Sequence, residues 1–314
     1  MKILLITQYS NDILNNTIPS DAILIKHFNL YHKKIVECLT RKGHDLIIKS
    51  GLEQNIEYFV ISADVVFCIR SDFGYPNGEL SICLLCEKHN IPYVGTNSSS
   101  KFYDSDKVVG KLLAKELNIP TPQYFLPYQI ENVNLKHNRY LLKPRFGSSS
   151  RKLTDWNICS SLNDIKNKMN SIKDIQNYFI EQFIDGKLLT VGCFLDETGC
   201  VRVSHPYFLI SKNNFVVTFE DKKSGNVIKV PIKNKRLCVK VKAMAKKYFL
   251  HIQPCLIARL DFMIRNHHIY FIEINTTPTL SPSNGFISYL LQDNSYSYDD
   301  FIDYLLMCAI SSNK

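Results

Sequence analysis

Short apolar runs alternate with amphipathic segments over the first hundred residues of the chain. The apolar runs occupy residues 3–7, 45–49 and 64–70. Uninterrupted runs of this length are typical of parallel strands that are buried on both faces. Residues 21–41 carry apolar side chains at helical spacing, Gly43 follows as a stop signal, and a second helix is predicted over 78–89 before a strand at 91–96. This alternation predicts an amino-terminal, Rossmann-like α/β layer with a parallel sheet up to residue 98.

The polar segment "TNSSSKFYDSD" is expected to be a break that ends the amino-terminal layer and leads into the next helix. A helix is predicted over 105–117, and the following "NIPTP" ends it because proline disfavours helical geometry in the residue before it. The strands "RYLLKP" and "YFIEQFI" enclose a helix near 161–172, which predicts a small α+β lobe. A basic helix near 237–249 and a hairpin belong to a further unit. We therefore predict three subdomains, covering residues 1–98, 99–187 and 188–314.

Composition favours a folded protein of the cytoplasm. Of the 314 residues, 45% are hydrophobic and 21% are charged, as in ordinary globular proteins. No apolar run approaches the roughly 20 residues that cross a bilayer, and the first residues lack the long apolar region of a signal peptide. The ten cysteines are scattered and mostly lie in apolar runs; Cys83 and Cys86 form a C-x-x-C without a second pair at zinc-ligand spacing. Buried thiols in a reducing compartment are expected, and no membrane partner.

The net charge of +9 admits two interpretations. Basic proteins often bind nucleic acid, but here the lysines are dispersed and no zinc-finger or RNP-type motif is present. A general attraction for anionic substrates, ATP among them, explains the sign of the charge equally well. We therefore expect no nucleic-acid partner.

Polar side chains interrupt two apolar runs in "ARLDFMIRNHHIYFIEINTTPTL", residues 258–280. Residues two apart in a strand share a face, so Arg259 and Asp261 point the same way, as do Glu273 and Asn275. A hairpin centred near His267 places Asp261 opposite Glu273, at a Cβ distance of roughly 5 Å. Two carboxylates so close repel each other unless a cation lies between them or one is protonated. Their oxygens, with that of Asn275, predict a magnesium site; a merely solvated sheet face is the alternative.

Two further segments suggest nucleotide chemistry. In "YLLKPRFGSSSRK", residues 140–152, a lysine ends an apolar strand before a Gly-Ser loop, and lysine and loop amides suit phosphate oxygens. The Walker pattern is absent, and Gly-Ser turns after strands are common. In "YFIEQFIDGKLLTVGCF", residues 178–194, a backbone strip between two strands would suit an adenine edge, although an ordinary strand–turn–strand explains it as well.

Taken in order, these segments resemble the ATP-grasp superfamily and, within it, the D-alanine–D-alanine ligases. The resemblance runs from about Gly78 onward through "HNIPYVGTNSSSKFYDSDKVVGKLLAKELNIPTP", "LLKPRFGSSS", "FIEQFIDGKLLTVG" and "ARLDFMI…YFIEINTTPTL". It implies an α/β ATP-grasp fold of three subdomains, in which two α+β lobes hold the nucleotide between them.

The resemblance also implies roles for individual residues. Lys107, Lys143, Ser148 and Ser149 are expected to contact ATP phosphates; Glu181, Gln182, Phe183 and Ile184 to lie beside adenine; Lys222 and Arg259 to be catalytic, near the γ-phosphate and the transferred phosphoryl group; and Asp261, Glu273 and Asn275 to hold two Mg²⁺ or Mn²⁺ ions, with Glu273 bridging them.

The implied activity is an ATP-dependent ligase that forms carbon–nitrogen bonds and releases ADP. ATP converts a substrate carboxylate into an acyl phosphate, and an amine then displaces phosphate to leave an amide or peptide bond. Amino acids are the expected substrates, and a homodimer is left open. Because the intermediate reacts with water, a closing lid is expected near 147–150 and 211–226.

The positions at which this sequence differs from the family pattern are mainly those that the resemblance associates with substrate recognition. The amino-terminal glycine-rich start is replaced by "LLITQYSNDILNN", the tyrosine of the family's substrate pocket appears as Lys223, and the glutamate at the ribose appears as Leu188. D-Alanyl-D-alanine is therefore the leading product, and a ligase for other amino acids or for a natural-product amide is the runner-up. A catalytically reduced ATP-binding protein is the third alternative.

Overall fold

The computed structural model describes residues 1–7, 23–51, 53–69, 78–133, 135–147, 153–196, 198–212, 217, 221, 226–281, 287, 291 and 296–311. Within them the α-helices are α1 (Ile23–Arg41), α2 (Ile56–Ile61), α3 (Gly78–Lys88), α4 (Ser98–Ser105), α5 (Lys107–Glu116), α6 (Leu162–Asn170), α7 (Lys235–His251) and α8 (Tyr298–Ser311). The strands are β1 (Lys2–Thr7), β2 (Asp45–Ser50), β3 (Val65–Cys68), β4 (Tyr93–Val94), β5 (Tyr124–Phe125), β6 (Tyr140–Pro144), β7 (Ile158–Cys159), β8 (Tyr178–Gln182), β9 (Lys187–Leu195), β10 (Val201–Val203), β11 (Tyr207–Ser211), β12 (Val227–Pro231), β13 (Ile257–Arg265) and β14 (His268–Asn275).

The first sheet is parallel, in the order β2-β1-β3-β4. Its central strands are fully buried, as expected of apolar runs that are covered on both faces. Helix α8, from the carboxyl end of the chain, packs into the same core as α1 through Phe301, Ile302 and Leu305. The predicted amino-terminal parallel layer is confirmed, and its cover includes a helix far away in sequence.

The second sheet is antiparallel, in the order β5-β8-β6-β7. Tyr140, Leu142 and Ile180 share a hydrophobic cluster with Ile165 of α6, which covers one face. Because side chains alternate along a strand, Lys143 and Glu181 lie on the opposite face. That face looks towards the third sheet, and the two charged groups are buried all the same.

The third sheet has the order β12-β11-β9-β13-β14, with β10 added beside β9. One face carries a large apolar core that includes Leu260 and Ile274, and α5 and α7 cover it. A strand with one face in a core can place polar side chains on the other face at little cost, since the two faces alternate. The predicted division at residues 98 and 187 stays a proposal.

The polar segment before the predicted helix 105–117 is itself helical, so the prediction of a break there is wrong. Asn97 caps α4, because its side chain accepts a hydrogen bond of 2.8 Å from the Ser100 N–H. Asp106 then caps α5 by accepting from the Val108 and Val109 N–H groups. Side-chain caps of this kind stabilise helix starts by about 1 kcal/mol each, which offsets part of the weak helix propensity of the serines.

The β13–β14 hairpin turns at Asn266 and His267, both of which have positive φ, at 47° and 66°. Two residues of positive φ are typical of the tight turns that match the twist of hairpin strands. A β-bulge then shifts the register between Asp261 and Phe262, so that Asp261 pairs with Glu273 and Phe262 with Phe271. The predicted pairing of Asp261 with Glu273 is confirmed.

The ten cysteines are free, and eight of them are buried. Burial is the main reason why the pKa of the Cys86 thiol is raised to about 12. The predicted buried thiols are therefore confirmed. Among the helices that the structure describes, none is long and apolar enough to cross a membrane.

A substitution of Phe271 tests the apolar core on one face of the β13–β14 hairpin. Its ring is fully buried, stacks on Tyr248 at 4.7 Å between centroids, and meets Phe262 edge-on. We expect Phe271→Ala to lower the free energy of unfolding by about 3–5 kcal/mol, because it leaves a cavity. Urea denaturation measures this loss. His268→Ala, at an exposed position of the same strand, is the control and is expected to change stability by about 0.5 kcal/mol or less; equal losses would contradict this view of the core.

Candidate active site

The polar residues predicted on the hairpin lie together on one face of the third sheet. Arg259 is directly opposite Asn275, and Asp261 is directly opposite Glu273. On the other side of β13, Thr190 of β9 is paired with Asp261. Directly opposed residues share a face, so these side chains converge on the surface that faces away from the core.

Asp261 is held by two neighbours. Arg259 donates from Nε and Nη2 to the two carboxylate oxygens at 3.1 and 3.0 Å, and the Thr190 hydroxyl donates at 2.5 Å. Burial by itself lowers the pKa of Arg259, but the charge of Asp261 and its hydrogen bonds outweigh this, and the pKa is raised. The two side chains therefore hold each other in place. Thr190 was not predicted; a lone polar residue in "LLTVGCF" is the signal that could have found it.

Lys107 and Lys143 approach Glu273 from two other elements. Each ammonium lies 3.9 Å from the Glu273 carboxylate, and the Lys107 ammonium also donates to the Gly147 carbonyl at 2.5 Å. Lys107 is the first residue of α5, and Lys143 lies near the end of β6. The structure thus brings the two predicted phosphate lysines and the predicted metal ligand to one point.

A bidentate ion pair fixes the start of α5 against the end of β6. Arg145 donates from Nε and Nη2 to the Asp106 carboxylate at 2.6–2.9 Å. The Lys107 N–H also donates to the Arg145 carbonyl at 3.1 Å. Because bidentate arginine–carboxylate pairs are geometrically specific, this contact sets the distance between the two lysines. It was not predicted from the sequence.

Glu181, on β8 of the second sheet, adds another carboxylate beside Lys143. It is paired with Lys111, which is fully buried, and lies 3.7 Å from Lys143. Burial is the main cause of a lowered pKa for Lys111, about 8, although the Glu181 charge opposes the shift. Lys111 also donates to the Thr121 hydroxyl at 3.2 Å. It was not predicted, yet it follows Lys107 by four residues and so shares a face of α5 with it.

The backbone strip at 181–184 is partly occupied by the chain's own hydrogen bonds. The Gln182 N–H donates to the Gln123 carbonyl at 2.7 Å, and the Phe183 N–H donates to the Arg139 carbonyl at 3.1 Å. These two N–H groups are therefore engaged within the chain. We therefore expect the contacts of this strip with an adenine base to come from the Ile184 N–H and from the backbone carbonyl groups of the strip.

The donor set on the hairpin fits a divalent cation that arrives with phosphate. Asp261, Glu273 and Asn275 offer two carboxylates and an amide, all hard oxygen ligands. Within the described part of the chain there is no cluster of three or more His, Cys, Asp or Glu side chains that would hold a metal. Magnesium commonly takes one or two carboxylates and completes its shell with waters and substrate phosphates, so the residues present fit it in that mode.

A second buried charge cluster lies immediately beyond Asn275. The Lys101 ammonium contacts the Glu79 and Asp104 carboxylates at 2.7 and 2.6 Å and donates to the Thr276 and Thr277 hydroxyls at 3.1 and 3.0 Å. Thr276 also donates its N–H and its hydroxyl to Asp104. This cluster anchors the end of β14 to α3 and α4. This cluster was not predicted from the sequence, because its members come from segments that are far apart in the chain.

Several predicted site residues lie outside the described residues. They are Lys222, Ser148 and Ser149, together with most of the two predicted lid segments at 147–150 and 211–226. Their predicted roles stay predictions.

Residues 141–307 match the family model described as "D-ala D-ala ligase C-terminus", which covers more than half of the 314 residues. The chain belongs to the D-alanine–D-alanine ligase family. The match begins within the predicted lobe 99–187, covers most of the predicted lobe 188–314, and includes the hairpin with its carboxylates. The chain is therefore an ATP-dependent, D-alanine–D-alanine-ligase-like enzyme, as predicted.

Relatives and solved structures agree with this family. The D-alanine–D-alanine ligase of Thermosipho melanesiensis is 26% identical over an alignment of 326 positions. The alignment covers 97% of this chain and 83% of the relative. That of Vibrio atlanticus is 23% identical and covers 80% and 79%. The crystal structure of the Bacillus anthracis ligase complexed with ATP superposes with a TM-score of 0.75, at 15% identity, over 100% of this chain and 98% of the other. At this identity the last comparison concerns the fold, and it confirms the predicted ATP-grasp fold.

Gly186 tests how closely the chain just before β9 packs against β13 in this D-alanine–D-alanine-ligase-like fold. A Cβ on Gly186 would lie 2.3 Å from the Ile264 carbonyl oxygen, a backbone atom of β13. We expect Gly186→Ala to push the 181–184 strip away from β13, to lower stability by about 1–3 kcal/mol and to raise the KM for ATP. Thermal melting and steady-state kinetics measure both effects. Asp185→Ala, in an exposed ion pair with Arg139, is the control; an unchanged KM in Gly186→Ala would contradict the expected displacement.

Proposed function

We propose that this protein joins a carboxylate to an amine with ATP, that the two substrates are amino acids, and that D-alanyl-D-alanine is the leading product. The observation that supports this most is the convergence of Lys107, Lys143, Arg259, Asp261 and Glu273 on one cleft face, in a chain of this family.

The chemical problem is the low reactivity of a carboxylate. In the proposed reaction a carboxylate oxygen of the first substrate attacks the γ-phosphorus of ATP, and ADP leaves, which gives an acyl phosphate. The amine of the second substrate then attacks the acyl carbon, loses a proton, and phosphate departs as the amide bond forms. Negative charge collects on the transferred group, and buried cations aimed at it are the main means of stabilising it.

The chain offers such cations from three directions. Lys107 lies at the start of α5, Lys143 near the end of β6, and Arg259 on β13, where Asp261 holds it. We assign the lysines to the ATP phosphates and Arg259 to the transferred phosphoryl group or to the tetrahedral intermediate. Lys222, Ser148 and Ser149 stay assigned to the same phosphates as predictions.

Asp261, Glu273 and Asn275 would hold Mg²⁺ or Mn²⁺, two ions in our prediction, with Glu273 between them. When bound, such ions neutralise phosphate charge and act as Lewis acids on phosphoryl oxygens. The Thr190 hydroxyl and Arg259 orient the Asp261 carboxylate for this role, and the Thr277 N–H does the same for the Asn275 amide oxygen, to which it donates at 3.0 Å.

The adenine base is assigned to the strip from Glu181 to Ile184. The N–H groups of Gln182 and Phe183 are used by the chain itself, so we assign the donor contact to the Ile184 N–H and the acceptor contact to the Gln182 carbonyl. Glu181, between Lys111 and Lys143, is positioned at the inner end of this strip.

The residues that differ from the family pattern for substrate recognition support an alternative set of substrates. The stretch "LLITQYSNDILNN", Lys223 and the segment "PTLS" at 278–281 replace residues that the family resemblance associates with D-alanine. A ligase for other amino acids or for a natural-product amide is therefore the alternative. A cytoplasmic location and a homodimer also stay predictions.

Phosphate release from ATP, measured across a panel of amino-acid pairs, tests the proposal. Pairs with D-alanine in either or both positions are compared with L-amino acids and with single amino acids, and mass spectrometry identifies the product. D-Alanyl-D-alanine would confirm the leading assignment, and another dipeptide the alternative. Binding of ATP without phosphate release under every pair would support the catalytically reduced protein instead.

A further inference from the structure

The two lysines assigned to phosphate already face a carboxylate. Lys107 and Lys143 each lie 3.9 Å from the Glu273 carboxylate, and Lys143 lies 3.7 Å from Glu181 on its other side. With Lys111 next to Glu181, the side chains form a row of alternating charge across the cleft. Each of the two glutamates in this row lies between two lysines and offsets part of their charge.

These groups are poorly solvated, so their mutual attraction is strong. The side chains of Lys107 and Lys143 are 10% and 7% exposed, and that of Glu273 is 24% exposed. Burial is the main cause of a lowered pKa for Lys107; the Glu273 charge opposes this shift and Lys143 adds to it. Glu273 lies between the two ammonium groups and thus offsets their mutual repulsion, because charges at short distance interact strongly in a poorly solvated site.

A phosphate group that arrives alone meets an unfavourable arrangement. It must compete with Glu273 for the two lysines, and its own negative charge is brought next to that carboxylate. A phosphate that arrives with a divalent cation does not meet this obstacle, since the carboxylate can turn to the cation. The same side chain therefore has opposite effects on the two forms of a nucleotide.

We propose that Glu273 makes the phosphate pocket selective for the metal-complexed nucleotide and excludes the metal-free nucleotide by occupying Lys107 and Lys143. This inference rests on the proposed function and goes beyond it, because it assigns to Glu273 a role in discriminating between two forms of the ligand before any chemistry takes place. It also predicts that nucleotide and cation bind with positive coupling that runs through this one carboxylate.

Glu273→Gln tests the proposal, since it removes the charge and keeps the size of the side chain. The probe is ADP, which is not turned over, titrated by isothermal calorimetry in excess EDTA and then in excess Mg²⁺. We expect the wild-type protein to bind ADP about tenfold or more tightly with Mg²⁺ than in EDTA. In EDTA, Glu273→Gln is expected to bind ADP about tenfold more tightly than wild type, and added Mg²⁺ to improve its affinity by about threefold or less.

Glu131→Gln is the matched control. It makes the same chemical change in an ion pair with Lys166, in which the side chain of Glu131 is 67% exposed. Both of its ADP affinities are expected to stay within about twofold of wild type, as exposed ion pairs contribute little. Circular dichroism and thermal melting confirm that each variant folds, and Glu273→Ala, with the same expected direction, replaces the glutamine variant if that one does not fold.

The outcomes separate this inference from the proposed function. If Glu273→Gln binds ADP in EDTA no more tightly than wild type, while wild type responds to Mg²⁺, the discriminating role is overturned and the ligase assignment stands. If wild type binds neither ADP nor ATP, with or without Mg²⁺, the proposed function itself fails. Tighter metal-free binding together with a lost response to Mg²⁺ supports the proposal.

Discussion

Glu273→Gln is expected to lower the rate of phosphate release by about a thousandfold or more, because the residue would hold the cations that neutralise the transferred phosphoryl group. Glu273 faces Asp261 across the hairpin and lies within 3.9 Å of both Lys107 and Lys143, so a neutral side chain at this point affects every cation of the site. The measurement is steady-state phosphate release at saturating ATP and Mg²⁺, with whichever substrate pair proves best.

Loss of activity must be separated from loss of structure. Glu273 sits at the solvent-facing side of β14 and is not part of the apolar cluster beneath it, so the variant is expected to melt within a few degrees of wild type. Glu131→Gln, with the same chemical change on the surface, is expected to retain full activity. A fully active Glu273→Gln enzyme would rule out the assignment of this carboxylate to the metal.

Lys143→Ala is expected to weaken ATP binding by about 1.5–3 kcal/mol, the contribution of a charge-assisted contact, and hence by about tenfold to a hundredfold. The loss has two origins. The ammonium itself no longer reaches a phosphate, and the carboxylates of Glu181 and Glu273, on either side of it, lose a shared cation. Both effects disfavour an incoming polyanion.

ATP affinity in the presence of Mg²⁺, measured by calorimetry, checks this expectation. Lys166→Ala, which removes a lysine of an exposed ion pair on α6, is the control and is expected to bind ATP as wild type does. An unchanged affinity in Lys143→Ala would show that this lysine serves only to neutralise Glu181 and Glu273. Its assignment to the phosphates would then be withdrawn.

The parallel amino-terminal sheet could be predicted because its signal is local. Runs such as "ILLIT" and "DLIIK" are apolar at successive positions, and only a strand buried on both faces requires that pattern. The prediction failed where short polar side chains cap helices: the serines before Asp106 suggested a break, but Asn97 and Asp106 satisfy the helix starts on either side. A capping contact depends on geometry that residue types alone do not reveal.

The predicted pairing of Asp261 with Glu273 in the hairpin is correct, but the prediction did not include the β-bulge that produces it. Equal distances from His267 place Asp261 opposite Glu273, yet the turn actually lies between Arg265 and His268, which are paired. That register continued without interruption would pair Asp261 with Ile272. The β-bulge between Asp261 and Phe262 restores the functional pairing, in keeping with the frequent occurrence of bulges next to active sites.

Taken by itself, the sequence determined which residue types are available: strands of continuous apolar character, a family pattern, and the acidic, amide and arginine side chains of one hairpin. Tertiary structure alone decided which charges from distant segments are neighbours. Lys111 beside Glu181, Arg145 beside Asp106 and Lys101 beside Glu79 are pairs whose members lie 22 to 70 positions apart in the chain. The physical reason is that charge interactions depend on distance and burial, and both are set only when the sheets and helices pack against one another.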